Sequence, residues 1–353
     1  MYKGGDLESE NNSGHQSGAT ATANRPSMLA IGDIFTDAFI KLNEEVARVD
    51  TDPDGSKRLS LPLGSKPPYD KVDIIKAVGP SPNAAVSAAR LDLDVSLLAW
   101  LGDDQAGREA LGYLRAEGIS TGLVSVKPGI KSNYYYVLRY GAERTILVKD
   151  ENFDYQWQVP SKKPDWIYLS LISDKSWQLH EDLLKYLTDN QDVKFAFQPG
   201  TFHFKWGKDK LAGLYHRSNI VVLNVEEAVD VTGRSKDSID DLLQGLHELG
   251  PQVVVVTDGP NGAYASDGSS RFKMPLYPDP VPPVDRTGAG DAFASTFVAT
   301  LAKGHNLESA LQLAPINSMS VCQKVGAQAG LLTEHELEEW LKKAPDWYHV
   351  ESF

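Results

Sequence analysis

The sequence predicts an α/β protein: a doubly wound, mostly parallel sheet flanked by helices, with a small β-sheet lid. Three observations carry that expectation. From residue 166 onward, short apolar runs alternate with segments of helical spacing, the βα order that lays parallel strands side by side. The first such run, 28–34, is apolar at nearly every position, as a strand buried on both faces requires. Two stretches, about 37–78 and 131–150, instead break into short alternating pieces separated by Asp, Pro and Gly, the pattern of a small antiparallel sheet.

Taken in order, residues 1–26 are rich in Gly, Ser, Asn, Thr and Glu, with too little to bury to offset their ordering entropy, and are expected to form a disordered tail. A strand at 28–34 ends in Gly-Asp and carries polar residues to the C-terminal edge of the sheet, where ligands collect in α/β folds. Pieces at 38–42, 58–63 and 72–78 read as lid strands. Helices at 83–91 and 104–117 flank a strand at 95–100. Further lid strands at 132–139 and 144–149 join across a turn at 140–143. Strands at 166–170, 193–197, 220–223 and 253–257 then alternate with helices near 177–187 and 239–249, and helices at 288–301, 307–323 and 334–342 close the chain. The core domain is expected to run over 27–345, leaving 346–353 as a C-terminal tail.

Bulk properties narrow the function. The chain has 353 residues and a formal net charge of −13, from 48 acidic and 35 basic side chains. That balance argues against nucleic acid or an anionic membrane as a partner, so a bound phosphate must be held locally. No apolar run is long enough to span a bilayer, and the single cysteine, Cys322, excludes an intramolecular disulfide framework. Both point to the cytoplasm. The eight histidines show no metal-ligand spacing.

The most informative segment is 284–293, Val-Asp-Arg-Thr-Gly-Ala-Gly-Asp-Ala-Phe. Gly288, Ala289 and Gly290 are small residues at the start of a predicted helix, where unpaired N–H groups and the positive end of the helix dipole favour an anion. Asp291 would repel that anion unless the reaction needs it. A base that takes a proton from an attacking hydroxyl is what phosphoryl transfer to an alcohol requires. Asp291 also has a plainer reading, as a carboxylate stabilising the helix dipole.

Asp-x-Thr-Gly-Ala-Gly-Asp at 285–291 resembles the signature of the ribokinase family, the PfkB-type carbohydrate kinases. The resemblance continues in family order through 32–37, 79–83, 224–227, 257–262 and 326–328, over about 28–343. It implies a ribokinase-like kinase that uses ATP and Mg²⁺ to phosphorylate a primary alcohol of a small sugar. A nucleoside kinase of the same family is the near alternative, and a non-catalytic nucleotide- or sugar-binding relative the distant one. On the donor side, the resemblance implies Mg²⁺ near Asn224 and Glu227, which are equally a helix N-cap and its capping-box partner. It also implies ATP phosphates and ribose beside Thr257, Gly259 and Gly262, which alone would read as an ordinary turn, and adenine near Asn317. Asp285 and Thr287 would hold a monovalent cation, usually potassium. On the acceptor side it implies Asp33, Asp37, Gly79 and Asn83.

Tyr134, Tyr135 and Tyr136 share a lid strand, and alternation sends Tyr135 to one face and the other two to the opposite face. We assign Tyr136 to the acceptor, with packing against the core as the competing role. Gln198 follows the strand at 193–197 and is expected at the rim of the site. The chain departs from the family pattern at Pro80, which fixes φ and removes a donor in the acceptor loop, and at Arg286. Family members often dimerise through the lid, so the resemblance leaves a homodimer through the lid open, with no contact residues marked in the sequence.

Overall fold

The computed structural model describes residues 25–141 and 143–353, so nearly all of the expected N-terminal tail lies outside the described residues. In chain order the strands are β1 Ser27–Ile31, β2 Phe35–Leu42, β3 Arg48–Thr51, β4 Lys57–Ser60, β5 Tyr69–Val78, β6 Asp94–Gly102, β7 Val124–Lys127 and β8 Asn133–Tyr140. They continue with β9 Glu143–Leu147, β10 Trp166–Leu169, β11 Lys194–Phe197, β12 Ile220–Asn224, β13 Val253–Thr257, β14 Ala263–Ser266, β15 Arg271–Met274 and β16 Glu351–Ser352.

Ten of them form one sheet in the order β16-β15-β14-β13-β12-β11-β10-β1-β6-β7. From β13 to β7 every pairing is parallel, while β14, β15 and β16 add an antiparallel edge. The chain moves outward from β1 to β6 and β7, then returns to build β10 to β13 on the other side of β1. That reversal opens a crevice at the C-terminal strand ends, the usual ligand position in doubly wound sheets.

Both faces of the sheet are covered, which explains why its strands read as continuous apolar runs. Within β1, Met28 and Ala30 join the core on one face while Leu29 and Ile31 join the core on the other. The same split separates Ile220 and Val222 from Val221 and Leu223 in β12. Helices Pro80–Arg90, Ala289–Ala302 and Leu307–Cys322 lie on the first face; Trp177–Asp189, Val225–Thr232 and Ile239–His247 lie on the second. No helix among the described residues is long and apolar enough to cross a membrane.

The lid is a separate sheet of order β5-β2-β8-β9. Strands from the two expected pieces do meet in one sheet, but the strand expected at 58–63 is not in it, because β4 pairs only with β3 in a separate two-stranded sheet; the joint between β2 and β8 is parallel, while β5 and β9 pair antiparallel at the edges. The β2–β5 register shifts between Phe35 and Asp37, and Ala77 opposite that shift has φ 54°. A bulge of this kind re-aims side chains, and here it does so beside the crevice.

The segment expected as a C-terminal tail is part of the fold. β16 pairs with β15, and Tyr348 is 3% exposed, donates its hydroxyl to Gln312 O at 2.7 Å and stacks edge-on against Tyr277. Two strand residues are too short a run to announce a strand, and the burial rests on one aromatic ring. Tyr348→Ala is therefore expected to cost roughly 3–5 kcal/mol by removing a buried aromatic. A denaturant midpoint equal to that of the unaltered protein would show the segment to be dispensable.

Candidate active site

Five segments deliver polar groups to one cleft at the C-terminal strand ends. Gln198 follows β11, Asn224 ends β12, Glu227 lies on the next helix, Thr257 ends β13, and Gly288, Gly290 and Asp291 open helix Ala289–Ala302. The apolar strands dictate this arrangement, because their buried alternation ends where the chain leaves the sheet.

Asp291 sits in the first turn of its helix, half-buried at the cleft. Its Oδ2 accepts from Asn83 Nδ2 at 2.8 Å and its Oδ1 from Gln198 Nε2 at 3.2 Å. Burial pushes its carboxyl above the usual carboxylate range, against the pull of those two amide donors. Gln328 Nε2 donates to Asn83 Oδ1 at 2.8 Å and to Ala77 O at 2.9 Å, which fixes the Asn83 amide in the sense that donates to Asp291. Asn83, expected against the acceptor, is thus committed to the carboxylate and to Gln328.

Gly288 caps the helix at φ 81°, and a Cβ there would lie 2.2 Å from Ala327 Cβ, so neither conformation nor space admits a side chain. A Cβ at Gly290 would meet only open space. Among the described residues the N–H groups of Gly288 and Gly290 find no acceptor, and that of Ala289 reaches Arg286 O only at 3.4 Å. Such a row of free donors at a helix N-terminus is suited to an oxyanion.

Asn224 and Glu227 form the reciprocal capping box: Asn224 Oδ1 accepts from Glu227 N at 2.8 Å, and Glu227 Oε2 accepts from Asn224 N at 2.9 Å. Burial first, and then the charge of Asp291, push the Glu227 carboxyl up. Among the described residues no group of three or more His, Cys, Asp or Glu is placed to hold a metal alone. Mg²⁺ keeps most of its water and needs only one or two carboxylates beside phosphates, and two mutually repelling carboxylates on one cleft suit a divalent cation. Glu227 and Asn224 fit that group.

The residues expected on the acceptor side cluster under the lid. Asp33, 5% exposed, accepts from the Tyr155 hydroxyl at 2.9 Å; burial raises its pKa to about 7. Asp37, 7% exposed, is also pushed up to about 7, by burial and against the nearby Arg144 guanidinium. Its Oδ1 is buried without a partner. An acceptor hydroxyl would satisfy that oxygen. Gly79, at φ 132°, packs so tightly that a Cβ would stand 2.5 Å from Asp33 O. The Pro80 departure costs nothing here, because Pro80 opens helix Pro80–Arg90, where no intrahelical N–H bond is due.

Several expected site residues are placed elsewhere. Asn317 is fully buried, donates to Thr296 Oγ1 at 2.8 Å and accepts from Leu332 N at 2.9 Å, so it ties helix Leu307–Cys322 to helix Ala289–Ala302 and to the Leu332 backbone and presents no surface to the cleft. Gly259 and Gly262 do not line the cleft; Gly262 is needed for its turn, where φ is 95° and a Cβ would strike Met274 O at 2.1 Å. Tyr136 is on the outward face, tilted against Tyr134, with 47% of its surface exposed. The inward ring is Tyr135, stacked on Phe35 with centroids 4.3 Å apart and donating to Asp150.

Asp285 and Thr287 face a lid cation rather than an open ion site. Asp285 Oδ1 accepts from Thr287 N at 3.0 Å and Oγ1 at 2.7 Å, and Oδ2 accepts from Gly326 N at 3.0 Å. Arg144 of β9 donates to Thr287 Oγ1 at 2.8 Å and stands 3.7 Å from Asp285 Oδ1. With these side-chain oxygens committed and a guanidinium beside them, the site does not fit a second monovalent cation. Arg286 is exposed.

A cleft of this build on a lidded, doubly wound sheet defines a phosphotransferase that acts on an alcohol group. Residues 76–342 match the pfkB family of carbohydrate kinases, and the chain belongs to that family. It is 29% identical over 281 residues to the ribokinase of Bacillus subtilis (strain 168), covering 74% of this chain and 87% of that protein. It is 30% identical over 283 residues to the 2-dehydro-3-deoxygluconokinase of Thermoproteus tenax, covering 75% and 85%. Among solved structures, the fold matches a Methanocaldococcus jannaschii nucleoside kinase with a TM-score of 0.72, 18% identity and 91% of this chain against 99% of that one. An Arabidopsis thaliana ribokinase complexed with ribose and ATP matches at 0.72 and 18%, over 90% of this chain and 99% of that one.

The two raised carboxyls under the lid fix a pH dependence of stability. Burial raises the Asp33 and Asp37 carboxyls in the folded chain from the ordinary 3.8 to about 7. The folded state therefore holds protons that the unfolded chain releases between about 4 and 7, and their stabilising contribution is lost as pH rises through 7. Asp37→Asn is expected to gain roughly 1–3 kcal/mol relative to the unaltered protein on going from pH 5.5 to 8. Denaturant unfolding at both pH values reads the difference, and an equal effect at both would refute the buried, raised carboxyl.

Proposed function

We propose that this kinase transfers the γ-phosphate of ATP directly to a hydroxyl, a primary alcohol, of a small sugar, with Asp291 as the base. The observation that carries this reading is the Asp291 carboxylate beside the free N–H groups of Gly288 and Gly290 in one cleft. The acceptor oxygen forms the new bond to phosphorus as the bond to the bridging oxygen of ADP breaks, and the hydroxyl proton passes to an Asp291 oxygen. The N–H groups of Gly288, Ala289 and Gly290 stabilise charge on the transferring group. Mg²⁺, positioned through Glu227 and Asn224, would neutralise charge on the nucleotide phosphates. Thr257 borders the same cleft on the donor side.

Asp37 supplies an unpaired acceptor for a sugar hydroxyl, with Asp33 held behind it by Tyr155. Relatives named for ribose and for a dehydrodeoxygluconate support a small sugar or sugar acid. The tyrosine run favours a sugar over a nucleoside, because its inward ring, Tyr135, is already stacked on Phe35 and bonded to Asp150.

The test is ADP release from ATP and Mg²⁺ across pentoses, hexoses, sugar acids, sugar phosphates and nucleosides, with sodium or potassium as counter-ion. One class of sugar is expected to respond, and equally in both salts. Asp291→Asn is expected to lower kcat roughly 10²–10⁴-fold with ATP affinity unchanged. Turnover of the variant within tenfold of the unaltered enzyme would remove Asp291 as the base.

A further inference from the structure

Gln198 belongs to no motif in this chain, yet it supplies one of the two donors on the Asp291 carboxylate. The loop that carries it is held at several points. Gln198 N donates to Leu169 O at 2.9 Å, Pro199 is buried, and Gly200 N donates to His203 Nδ1 at 2.9 Å. A Cβ at Gly200 would lie 2.8 Å from Leu171 Cδ1, so the turn admits no side chain there. The loop therefore delivers the amide of Gln198 to one place.

The sense of that amide is set from below. Tyr168, on β10, is 1% exposed and donates its hydroxyl to Gln198 Oε1, which leaves Gln198 Nε2 to donate to Asp291 Oδ1 at 3.2 Å. An ionised carboxylate only accepts, so the flipped amide would set oxygen against oxygen. Hydroxyl, amide and carboxylate thus form one directed chain. It opposes the second chain, from Ala77 O and Gln328 through Asn83 to Asp291 Oδ2.

We propose that Gln198, oriented by the Tyr168 hydroxyl, is a positioning residue for the base, holding the Asp291 carboxylate ionised and aimed into the cleft. The inference rests on the functional reading above. Besides its two amide donors, the titratable groups around Asp291 are Glu227 on helix Val225–Thr232, whose carboxyl feels its charge, and Tyr168 itself. Removing a donor from Asp291 favours its protonated form, so the base is lost at higher pH.

The experiment is the pH profile of kcat/KM, from pH 5 to 9, for the full chain and for Gln198→Leu, Tyr168→Phe, the double variant and Asp291→Asn. Gln198→Leu is expected to lower kcat about tenfold, to move the acidic limb up by about one pH unit and to leave the acceptor KM within about threefold. Tyr168→Phe is expected to move the limb the same way by less, and the double variant no further than Gln198→Leu alone, because both changes cut one chain. An active parent with an inert Asp291→Asn and an unmoved Gln198→Leu profile would overturn this inference alone. So would a raised acceptor KM without a shift of the limb, which would make Gln198 an acceptor ligand. An inactive parent would overturn the functional reading and this inference with it.

Discussion

A buried carboxylate at the N-terminus of a helix, in a cleft suited to phosphate, is the constraint on which the rest of this structure depends. The helix dipole favours Asp291, but burial opposes it and any incoming phosphate would repel it. Two amides resolve that conflict by donating to opposite oxygens, and hydrogen bonds to a charged group contribute about 1.5–3 kcal/mol each. Asn83 stands on the first helix, Gln198 after β11, Gln328 in the loop beyond helix Leu307–Cys322, and Tyr168 on β10. Holding one carboxylate therefore requires parts of the chain separated by as many as 245 residues to be in register.

The backbone irregularities gather around the same point. Ala77 is one of two non-glycine residues with positive φ among the described residues, and its carbonyl is the one that anchors Gln328. A non-glycine residue held there costs of the order of 1–3 kcal/mol. Gly79, Gly288 and Gly326 also have positive φ, and Gly326 donates to the Asp285 carboxylate that organises the anion loop. Arg144 adds the lid to this system by reaching Thr287 from β9. Lid position and anion-loop geometry are thereby linked through one guanidinium.

The core of the fold was legible because β1, β12 and β13 are apolar on both faces and their helices follow at regular intervals. The edge was not: β14, β15 and β16 are runs of two to four residues whose pairing is set by the sheet they join. In the site, Asp291 and the glycines before it were legible because they are contiguous. The bond of Asn83 to Asp291 was not legible because its partner lies 208 residues away, and the burial of Asn317 was not because a buried amide bonding to a threonine and a backbone N–H has the same sequence appearance as an exposed one. Alternation separated Tyr135 from Tyr136 correctly, yet the choice between faces depends on where the lid sits over the crevice. Arg144, Tyr155 and Tyr168 carry no local pattern. Only Gln198, placed after an apolar strand, offered a positional signal.

A carboxylate beside a phosphate site has two chemical options: it takes a proton from the acceptor, or it attacks phosphorus itself and is phosphorylated. The stereochemical course at a chirally labelled γ-phosphate separates them most directly, since each displacement at phosphorus inverts it once. The account predicts inversion in the sugar phosphate, from a single in-line transfer with Asp291 as base. Net retention would mean two displacements through a phosphorylated enzyme and would contradict it.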